Sequence, residues 1–269
     1  MPINVYEYKS IYFDNPIEPQ RVLDIFLPEI VSQDTSLFFV HGGGWTGGSR
    51  NGYHKIMRAF NERGYICAST DYRLLAEGVN ILTQIEDVRH GYLLFMQYLK
   101  DNNHPQKVFT HGTSAGAHLA ALLSFARPGD CGENISSLPD MEWVVPMGTA
   151  LQSTPMRFEP WEDIFPVSWT AMQKIAGVPY EGNQKLYEKI APITHITRKT
   201  CPAFFMEAEN EEMFPTEFVI ESVDKMKSLG VRAEYKIYTK AEHGFFYDIT
   251  RRQQKEAFSD ILKFIKSLA

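Results

Sequence analysis

The chain has 269 residues, of which 44% are hydrophobic and 22% are charged, and its formal net charge at pH 7 is −6. These proportions are ordinary for a globular protein and exclude a wholly disordered chain. An acidic balance gives no general attraction to nucleic acid or to anionic lipid, so we expect neither as a partner. The length suits one large domain or two small ones.

The cysteines and the hydropathy pattern of the sequence indicate the cellular compartment in which the protein is expected. The three cysteines, Cys67, Cys131 and Cys201, cannot all pair within one chain and lack C-x-x-C spacing, which favours a reducing environment. The N-terminus has no basic segment followed by an apolar run, and no stretch of about 18 apolar residues occurs. We therefore expect a cytoplasmic protein without a membrane span.

Hydrophobic periodicity predicts strands and helices that alternate along the chain. The first two strands, over 5–13 and 21–27, are expected to be antiparallel. Further strands are predicted over 36–40, 65–70, 107–110, 143–147, 203–206 and 232–238. Helices are predicted over 54–63, 85–100, 114–126, 216–229 and 251–268. This order indicates an α/β fold with a mainly parallel sheet and right-handed crossovers.

The stretch over 151–197 interrupts this alternation, because it mixes proline, aromatic and acidic residues without a clear strand. We therefore predict a single domain over 1–269, in which 151–197 forms a cap over one end of the sheet. The aromatic residues of the insertion would either shape a substrate pocket or pack its own small core. Trp161 and Trp169 are the candidates for substrate contact.

The sharpest local motif is Gly-Thr-Ser-Ala-Gly over 112–116, between a predicted strand and a predicted helix. A nucleophile elbow requires this position, since the serine must project from a tight turn. The N-terminus of the helix then favours the negative charge of an acyl-transfer intermediate. Ser114 is therefore the candidate nucleophile; the alternative is an ordinary loop with a serine N-cap.

A second motif, His-Gly-Gly-Gly-Trp over 41–45, follows the strand over 36–40. An oxyanion hole needs backbone N–H groups that can approach a substrate oxygen closely, and glycine permits this. Gly43 and Gly44, together with Ala115, are the candidate donors. Trp45 adjoins this loop and is a third candidate for substrate contact.

The same glycines also fit a dinucleotide-binding fingerprint, with Gly42 as its first glycine and Asp71 as the ribose-binding acid. The glycine cluster follows the third strand instead of the first, and residues 49–52 separate it from the helix. A pyrophosphate would therefore not meet a helix N-terminus directly, which disfavours this interpretation.

His243 lies between the last predicted strand and the last predicted helix. Loops that follow parallel strands share one edge of a sheet, so His243 is expected near Ser114. Histidine can accept the serine proton and return it to the leaving group. The orienting acid is expected between the two in chain order, where four glutamates compete over 207–215.

Several segments carry a resemblance to a known superfamily. They are Leu-Asp-Ile-Phe-Leu-Pro over 23–28, the loop over 41–45, Asp-Tyr-Arg-Leu over 71–74, and the segments 112–120, 191–196 and 242–245. The chain resembles the α/β-hydrolases, and within them the small carboxylesterases of the hormone-sensitive-lipase and acetyl-esterase/feruloyl-esterase-like groups. The resemblance implies an eight-stranded, mainly parallel twisted sheet flanked by helices. It also implies a serine esterase that acts on small carboxylic esters through an acyl-enzyme, with no cofactor and no metal.

The resemblance also points to the acid of the triad. In that family the acid is usually the aspartate of a His-Gly-x-x-Asp-x-x-Val-Pro stretch, which falls on Glu211 when laid on residues 207–215. Here glutamate replaces the aspartate, and Glu-Ala replaces His-Gly. Glu212 remains the alternative acid.

Two other functions stay open. Kynurenine-formamidase-like enzymes carry a related His-Gly-Gly-x-Trp loop, so an amide or formamide hydrolase is one alternative. A non-catalytic binding module on a hydrolase scaffold is the other. The resemblance leaves acylated sugars and short acyl esters as possible substrates, and a homodimer is a base-rate expectation only.

Overall fold

Strands and helices alternate over residues 8–13, 21–76 and 78–268, which are the residues that the computed structural model describes. The strands are β1 (Tyr8–Tyr12), β2 (Val22–Phe26), β3 (Thr35–Val40), β4 (Cys67–Thr70), β5 (Lys107–Thr113), β6 (Gly148–Gln152), β7 (Ala203–Asn210) and β8 (Ala233–Glu242). The α-helices are α1 (His54–Asn61), α2 (Ile81–Asp101), α3 (Ala115–Phe125), α4 (Pro166–Ala176), α5 (Gln184–Lys189), α6 (Thr216–Ser228) and α7 (Arg252–Lys266). Short 3₁₀ turns lie at Arg50–Tyr53 and Pro192–His195.

The eight strands form one sheet in the order β1-β2-β4-β3-β5-β6-β7-β8. β1 pairs with β2, and β2 with β4, in antiparallel fashion. All pairs from β4 to β8 across the sheet are parallel. The predicted fold class is therefore confirmed, as is the antiparallel first pair; residues 5–7 of the first predicted strand lie outside the described residues.

The central strand β3 explains why the sheet has helices on both faces. Every residue of β3 is buried. Leu37 and Phe39 belong to the core under α1 and α7, whereas Phe38 and Val40 belong to the core under α2 and α3. A strand buried on both faces appears as a continuous apolar run, which is the pattern that predicted it.

One predicted strand is wrong. The segment over 143–147 was expected to be the sixth strand, but β6 starts one residue after it, at Gly148. Pro146 has no N–H to donate to a ladder, and Trp143 packs against Tyr92 with ring centroids 5.3 Å apart. The short side chains of Gly-Thr-Ala at 148–150 hide the strand, because glycine and alanine are depleted in strands and the segment has no large apolar residue.

The insertion between β6 and β7 contains α4, α5 and the turn Pro192–His195. Its predicted start was wrong by two residues, since Leu151 and Gln152 belong to β6. The division into a single domain and a cap over 151–197 stays a prediction. In the described part of the chain, no helix combines the length and apolarity needed to cross a membrane.

The ends of two strands position the site. β7 continues four residues beyond its predicted end to Asn210, and β8 continues to Glu242. Glu211 and His243 are therefore the first residues after two adjacent parallel strands. The carboxyl ends of parallel strands meet at one edge of the sheet, where β5 also ends, directly before Ser114.

Candidate active site

Ser114 occupies a tight turn between β5 and α3. Its backbone has φ 56° and ψ −124°, a region that non-glycine residues rarely adopt. The flanking glycines make this turn possible, because an added Cβ at Gly112 would lie 2.3 Å from the carbonyl oxygen of Gly116. A Cβ at Gly116 would lie 2.2 Å from the carbonyl oxygen of Val40. This is the strained strand-to-helix geometry that the sequence predicted for a nucleophile elbow.

The structure brings Ser114, His243 and Glu211 into one hydrogen-bonded chain. Ser114 Oγ lies 2.8 Å from His243 Nε2. His243 Nδ1 lies 2.8 Å and 2.9 Å from the two carboxylate oxygens of Glu211. Because a carboxylate can only accept, Nδ1 carries the proton and Nε2 is left to accept the serine hydroxyl proton. Of the two candidate acids, Glu211 is the one in contact with the histidine, and Glu212 is exposed.

The charge on Glu211 is stabilised by its neighbours. Burial raises the pKa of Glu211, but its interactions with His243 and with the Ser153 hydroxyl outweigh burial, so the pKa lies below its ordinary value. The backbone N–H of Met213 donates to Oε1 at 3.0 Å. Glu211 is therefore ionised at neutral pH, as a group that stabilises an imidazolium must be.

The glycine loop after β3 supplies backbone N–H groups beside Ser114. Gly43 and Gly44 have φ of 126° and 59°, in the left-handed region that favours glycine. Neither their N–H groups nor that of Ala115 donates to a protein acceptor in the part of the chain that the structure describes. The N–H of Ala115, as the first residue of α3, has no acceptor within the helix. Three unpaired donors are thus available near the serine.

The residues at the start of this loop are anchored to the fold. His41 Nδ1 donates to the carbonyl oxygen of Gly42 at 2.8 Å, and the Tyr72 hydroxyl donates to the carbonyl oxygen of His41 at 2.9 Å. Burial lowers the pKa of His41, so its ring is neutral at pH 7. Asp71 accepts hydrogen bonds from the backbone and side chain of Arg50. The carboxylate that a dinucleotide site would need for a ribose is therefore already occupied.

A cavity of about 360 Å³ opens above Ser114. Its described lining includes no Lys, Arg, Asp or Glu side chain, and His243 is the titratable group that faces a substrate. The lining residues are Gly43, Gly44, Trp45, Thr46, Thr113, Ser114, Val167, Ser168, Ala171, Met213, Phe214, His243, Gly244 and Tyr247. Such a lining suits an uncharged, compact ligand.

Comparison with known proteins identifies the family to which the chain belongs. The family model described as BD-FAE matches residues 23–224. The chain belongs to this family. It is an α/β-hydrolase of the esterase group. The matched span contains Ser114 and Glu211 but ends before His243.

Individual proteins agree with this assignment. The BD-FAE protein is 22% identical over 204 residues to the "Probable carboxylic ester hydrolase LipM" of Mycobacterium tuberculosis, covering 72% of this chain and 45% of that protein. It is 23% identical to the isoprenylcysteine alpha-carbonyl methylesterase ICME of Arabidopsis thaliana, covering 92% of this chain and 60% of that protein. The chain thus spans about half the length of these curated relatives. Esterase 2 of Thermogutta terrifontis, in a structure "phosphonylated by sarin", has the same fold, with a TM-score of 0.80 at 17% identity, covering 100% of this chain and 97% of that one.

In this BD-FAE protein, Trp45 is the predicted substrate-contact residue that reaches the cavity. Only 2% of its surface is exposed, and its Nε1 lies 3.4 Å from His118 Nδ1. Burial lowers the pKa of His118 to about 4, so this histidine stays neutral and can accept from the indole. Trp45 therefore forms a rigid wall, and its contact with substrate stays a prediction.

Trp161 and Trp169 are not among the residues that line this cavity, so their contact with substrate stays a prediction. Trp161 packs on Phe214 and Phe218, and Trp169 on Tyr180 and Tyr187. On α4, Val167 and Ala171 share one face because they are four residues apart, and Trp169 lies between them on the opposite face. The insertion thus contributes Val167, Ser168 and Ala171 to the cavity, whereas Trp161 and Trp169 pack against other aromatic rings.

Glu207 is a feature of the site that the sequence interpretation missed. It stands where the family pattern has histidine, and only 1% of it is exposed. Burial raises the pKa of Glu207 well above its ordinary value, and the charge of Glu211 raises it further, against a hydrogen bond from the backbone N–H of Thr154. Glu207 is therefore a neutral acid beside an ionised one. Its place inside β7 is the only sign of this in the sequence.

Proposed function

We propose that this protein is a serine carboxylesterase that hydrolyses small, uncharged carboxylic esters through an acyl-enzyme. The hydrogen-bonded chain from Ser114 through His243 to Glu211 carries the proposal. Nucleophile, base and orienting acid lie within direct reach of one another, which is the arrangement that serine acyl transfer requires.

In the first half-reaction, Ser114 Oγ attacks the ester carbonyl carbon while His243 Nε2 takes the hydroxyl proton. The Glu211 carboxylate stabilises the imidazolium that forms. The N–H groups of Gly43, Gly44 and Ala115 donate to the oxyanion, and one such donor is typically worth about 10²–10³ in rate. The bond to the alcohol oxygen then breaks, and that oxygen leaves with the proton from His243.

In the second half-reaction, water attacks the acyl-serine carbonyl while His243 Nε2 takes one of its protons. The same three N–H groups donate to the second oxyanion. The bond between the acyl carbon and Ser114 Oγ then breaks, and Oγ recovers the proton from His243. The carboxylic acid leaves, and the resting hydrogen bonds are restored.

The cavity supports a narrower substrate class. Because its described lining has no Lys, Arg, Asp or Glu side chain, a charged acyl group would lose its hydration without gaining an oppositely charged partner. Trp45, Val167, Ala171, Met213 and Phe214 offer apolar contacts. We therefore propose short aliphatic acyl esters as preferred substrates.

The experiment is hydrolysis of p-nitrophenyl esters from acetate to octanoate by the wild type and by Ser114→Ala. We expect kcat to fall on the order of 10⁶-fold in the variant. A fluorophosphonate probe should label the wild type and leave Ser114→Ala unlabelled. A Ser114→Ala protein with near-parental turnover would refute the mechanism, and p-nitrophenyl hemisuccinate hydrolysed as fast as the butyrate would refute the substrate class.

Amide hydrolysis on the same residues is a second candidate. A match to the arylacetamide deacetylase of Oryctolagus cuniculus favours it, at 36% identity over 94 residues or 33% of this chain. Comparing kcat/KM for p-nitrophenyl acetate, p-nitroacetanilide and N-formylkynurenine separates these activities. A higher value for either amide than for the ester would replace the first proposal by the second.

A further inference from the structure

Tyr247 connects the loop that carries His243 to the loop that carries the oxyanion-hole glycines. It follows His243 by four residues, and its hydroxyl oxygen accepts a 2.7 Å hydrogen bond from the backbone N–H of Gly42. The two residues are 205 positions apart in the chain. This contact therefore joins two of the loops on which the proposed chemistry depends.

The Tyr247 hydroxyl also reaches the residue before the nucleophile. Tyr53 and Thr113 lie close enough to influence the pKa of this hydroxyl, and Tyr53 donates to Thr113 Oγ1 at 2.8 Å. The rings of Tyr53 and Tyr247 lie 4.9 Å apart. Burial raises the pKa of Tyr247, so the group stays a neutral hydroxyl throughout the working pH range.

These contacts fix the peptide groups that lead into the oxyanion loop. The His41–Gly42 peptide is held on both sides, because Tyr247 accepts from its N–H and Tyr72 donates to its carbonyl oxygen. The carbonyl oxygen of Gly42 belongs to the next peptide and accepts from the His41 ring. A trans peptide is planar, with its N–H directed opposite to its C=O. Holding the Gly42 carbonyl therefore directs the N–H of Gly43, the next donor along the chain.

Close packing at Gly42 adds to this constraint. An added Cβ there would lie 2.4 Å from the Thr113 carbonyl oxygen, 2.8 Å from the Tyr247 hydroxyl and 3.3 Å from Ser114 Cβ. Gly42 thus lies against the nucleophile turn on one side and against Tyr247 on the other. Tyr247 and Gly43 also line both the main cavity and a second one of about 390 Å³.

We infer that Tyr247 is a positioning residue, whose hydroxyl holds Gly42 so that the N–H of Gly43 points at the transition-state oxyanion. The inference rests on the proposed function. Removing the hydroxyl leaves the serine, the histidine and the cavity walls in place. It removes one of the two hydrogen bonds on the His41–Gly42 peptide, whose carbonyl oxygen stays bonded to Tyr72, and so loosens the backbone that precedes the N–H of Gly43. The loss therefore appears where negative charge develops on the substrate oxygen, with ground-state binding unchanged.

Tyr247→Phe tests this, because phenylalanine keeps the ring and lacks only the hydroxyl. We expect kcat for p-nitrophenyl butyrate to fall about tenfold with KM within twofold of the parent, less than the loss of a whole donor. The Ki of an alkyl trifluoromethyl ketone, which forms a tetrahedral oxyanion, should rise about tenfold. The Ki of the matching methyl ketone, which binds without forming one, should not change.

Tyr92→Phe is the matched control. Tyr92 is also buried, and its hydroxyl donates to the carbonyl oxygen of Val144 at 2.9 Å, away from the cavity. This variant should keep the parental kcat and both Ki values. If Tyr247→Phe is insoluble, Tyr247→Met removes the same hydroxyl together with the ring. The ratio of its trifluoromethyl ketone Ki to its methyl ketone Ki, in which a changed cavity wall cancels, should still rise about tenfold.

The outcomes separate the inference from the proposed function. If the wild type hydrolyses esters and Ser114→Ala does not, the proposed function stands. An unchanged kcat for Tyr247→Phe, or a lower kcat with an unchanged trifluoromethyl ketone Ki, then overturns the role of Tyr247 alone. A wild type inactive on every ester and amide overturns both.

Discussion

Glu207 and Glu211 lie four residues apart at the end of β7, and their pKa values are shifted in opposite directions. Glu207 is inside the strand, with one backbone N–H as its partner and the charge of Glu211 nearby. Glu211 is at the sheet edge, where His243 and nearby hydrogen-bond donors stabilise its negative charge. The negative charge of Glu211 therefore lies next to His243, whereas burial favours the protonated, neutral form of Glu207.

The first prediction concerns the acid of the triad. Glu211→Gln keeps the shape of the side chain but removes the charge that stabilises the imidazolium, so we expect kcat to fall about 10³- to 10⁴-fold. Glu212→Gln is the matched control, since Glu212 is the adjacent and exposed glutamate. Steady-state kinetics on a p-nitrophenyl ester measure both. A larger loss in Glu212→Gln than in Glu211→Gln would reverse the assignment.

The second prediction concerns stability and pH. The pKa of Glu207 is raised in the folded protein, so above the unfolded value of about 4.3 the folded state binds more protons than the unfolded state. Glu207 therefore lowers the free energy of unfolding as pH rises from that value to its folded pKa. Glu207→Gln should remove this decline, so its free energy of unfolding should fall less between pH 5 and pH 8 than that of the parent.

Urea unfolding at pH 5 and pH 8 measures this effect, with Glu212→Gln again as the control. The difference in unfolding free energy between the two pH values should shrink in Glu207→Gln and stay parental in the control. An unchanged difference in Glu207→Gln would mean that Glu207 is already ionised in the folded protein.

The third prediction concerns the turn that holds the nucleophile. Gly116→Ala would place a Cβ 2.2 Å from the carbonyl oxygen of Val40, a backbone atom of β3 that cannot move aside. We expect a loss of about 2 kcal/mol or more in unfolding free energy. Gly47→Ala is the control, because the nearest atom to its added Cβ is at 3.7 Å. Equal unfolding midpoints for the two variants would show that the turn is not constrained by β3.

The fourth prediction concerns acyl-chain length. Ala171 on α4 lines the cavity, so Ala171→Leu should fill part of it and shift the preferred ester to a shorter chain. Each excluded methylene is worth about 1–3 kcal/mol in such a pocket, so kcat/KM for the octanoate should fall at least tenfold relative to the acetate. Trp169→Leu, on the opposite face of α4, should leave the length profile unchanged. A profile altered only by Trp169→Leu would place substrate on the other side of the helix.

Ser114 and His243 lie 2.8 Å apart in the structure, and the sequence could locate both because each is next to an element that sequence patterns show well. The short strand β5 and the glycines around Ser114 mark the elbow, and β8 brings His243 to the same edge of the sheet. The choice of Glu211 depended on a family resemblance, because spacing alone did not distinguish four nearby glutamates.

Other features depended on packing that no local pattern records. The neutral state of Glu207 follows from burial by residues distant in the chain, and the Tyr247 hydroxyl contacts a glycine 205 positions away. Trp161 and Trp169 appeared suited to substrate because they are aromatic. The sequence alone does not show which face of α4 lines the cavity. In the structure, that face carries Val167 and Ala171.

The contact between Ser114 and His243 joins residues 129 positions apart, and His243 follows a strand at the edge of the sheet. During refolding, the serine can therefore gain its base only after β8 has paired with β7. Recovery of turnover should lag behind recovery of helix signal in circular dichroism, because the helices form from local contacts and the base arrives with the last strand of the sheet. Turnover would therefore be undetectable until β8 has paired with β7.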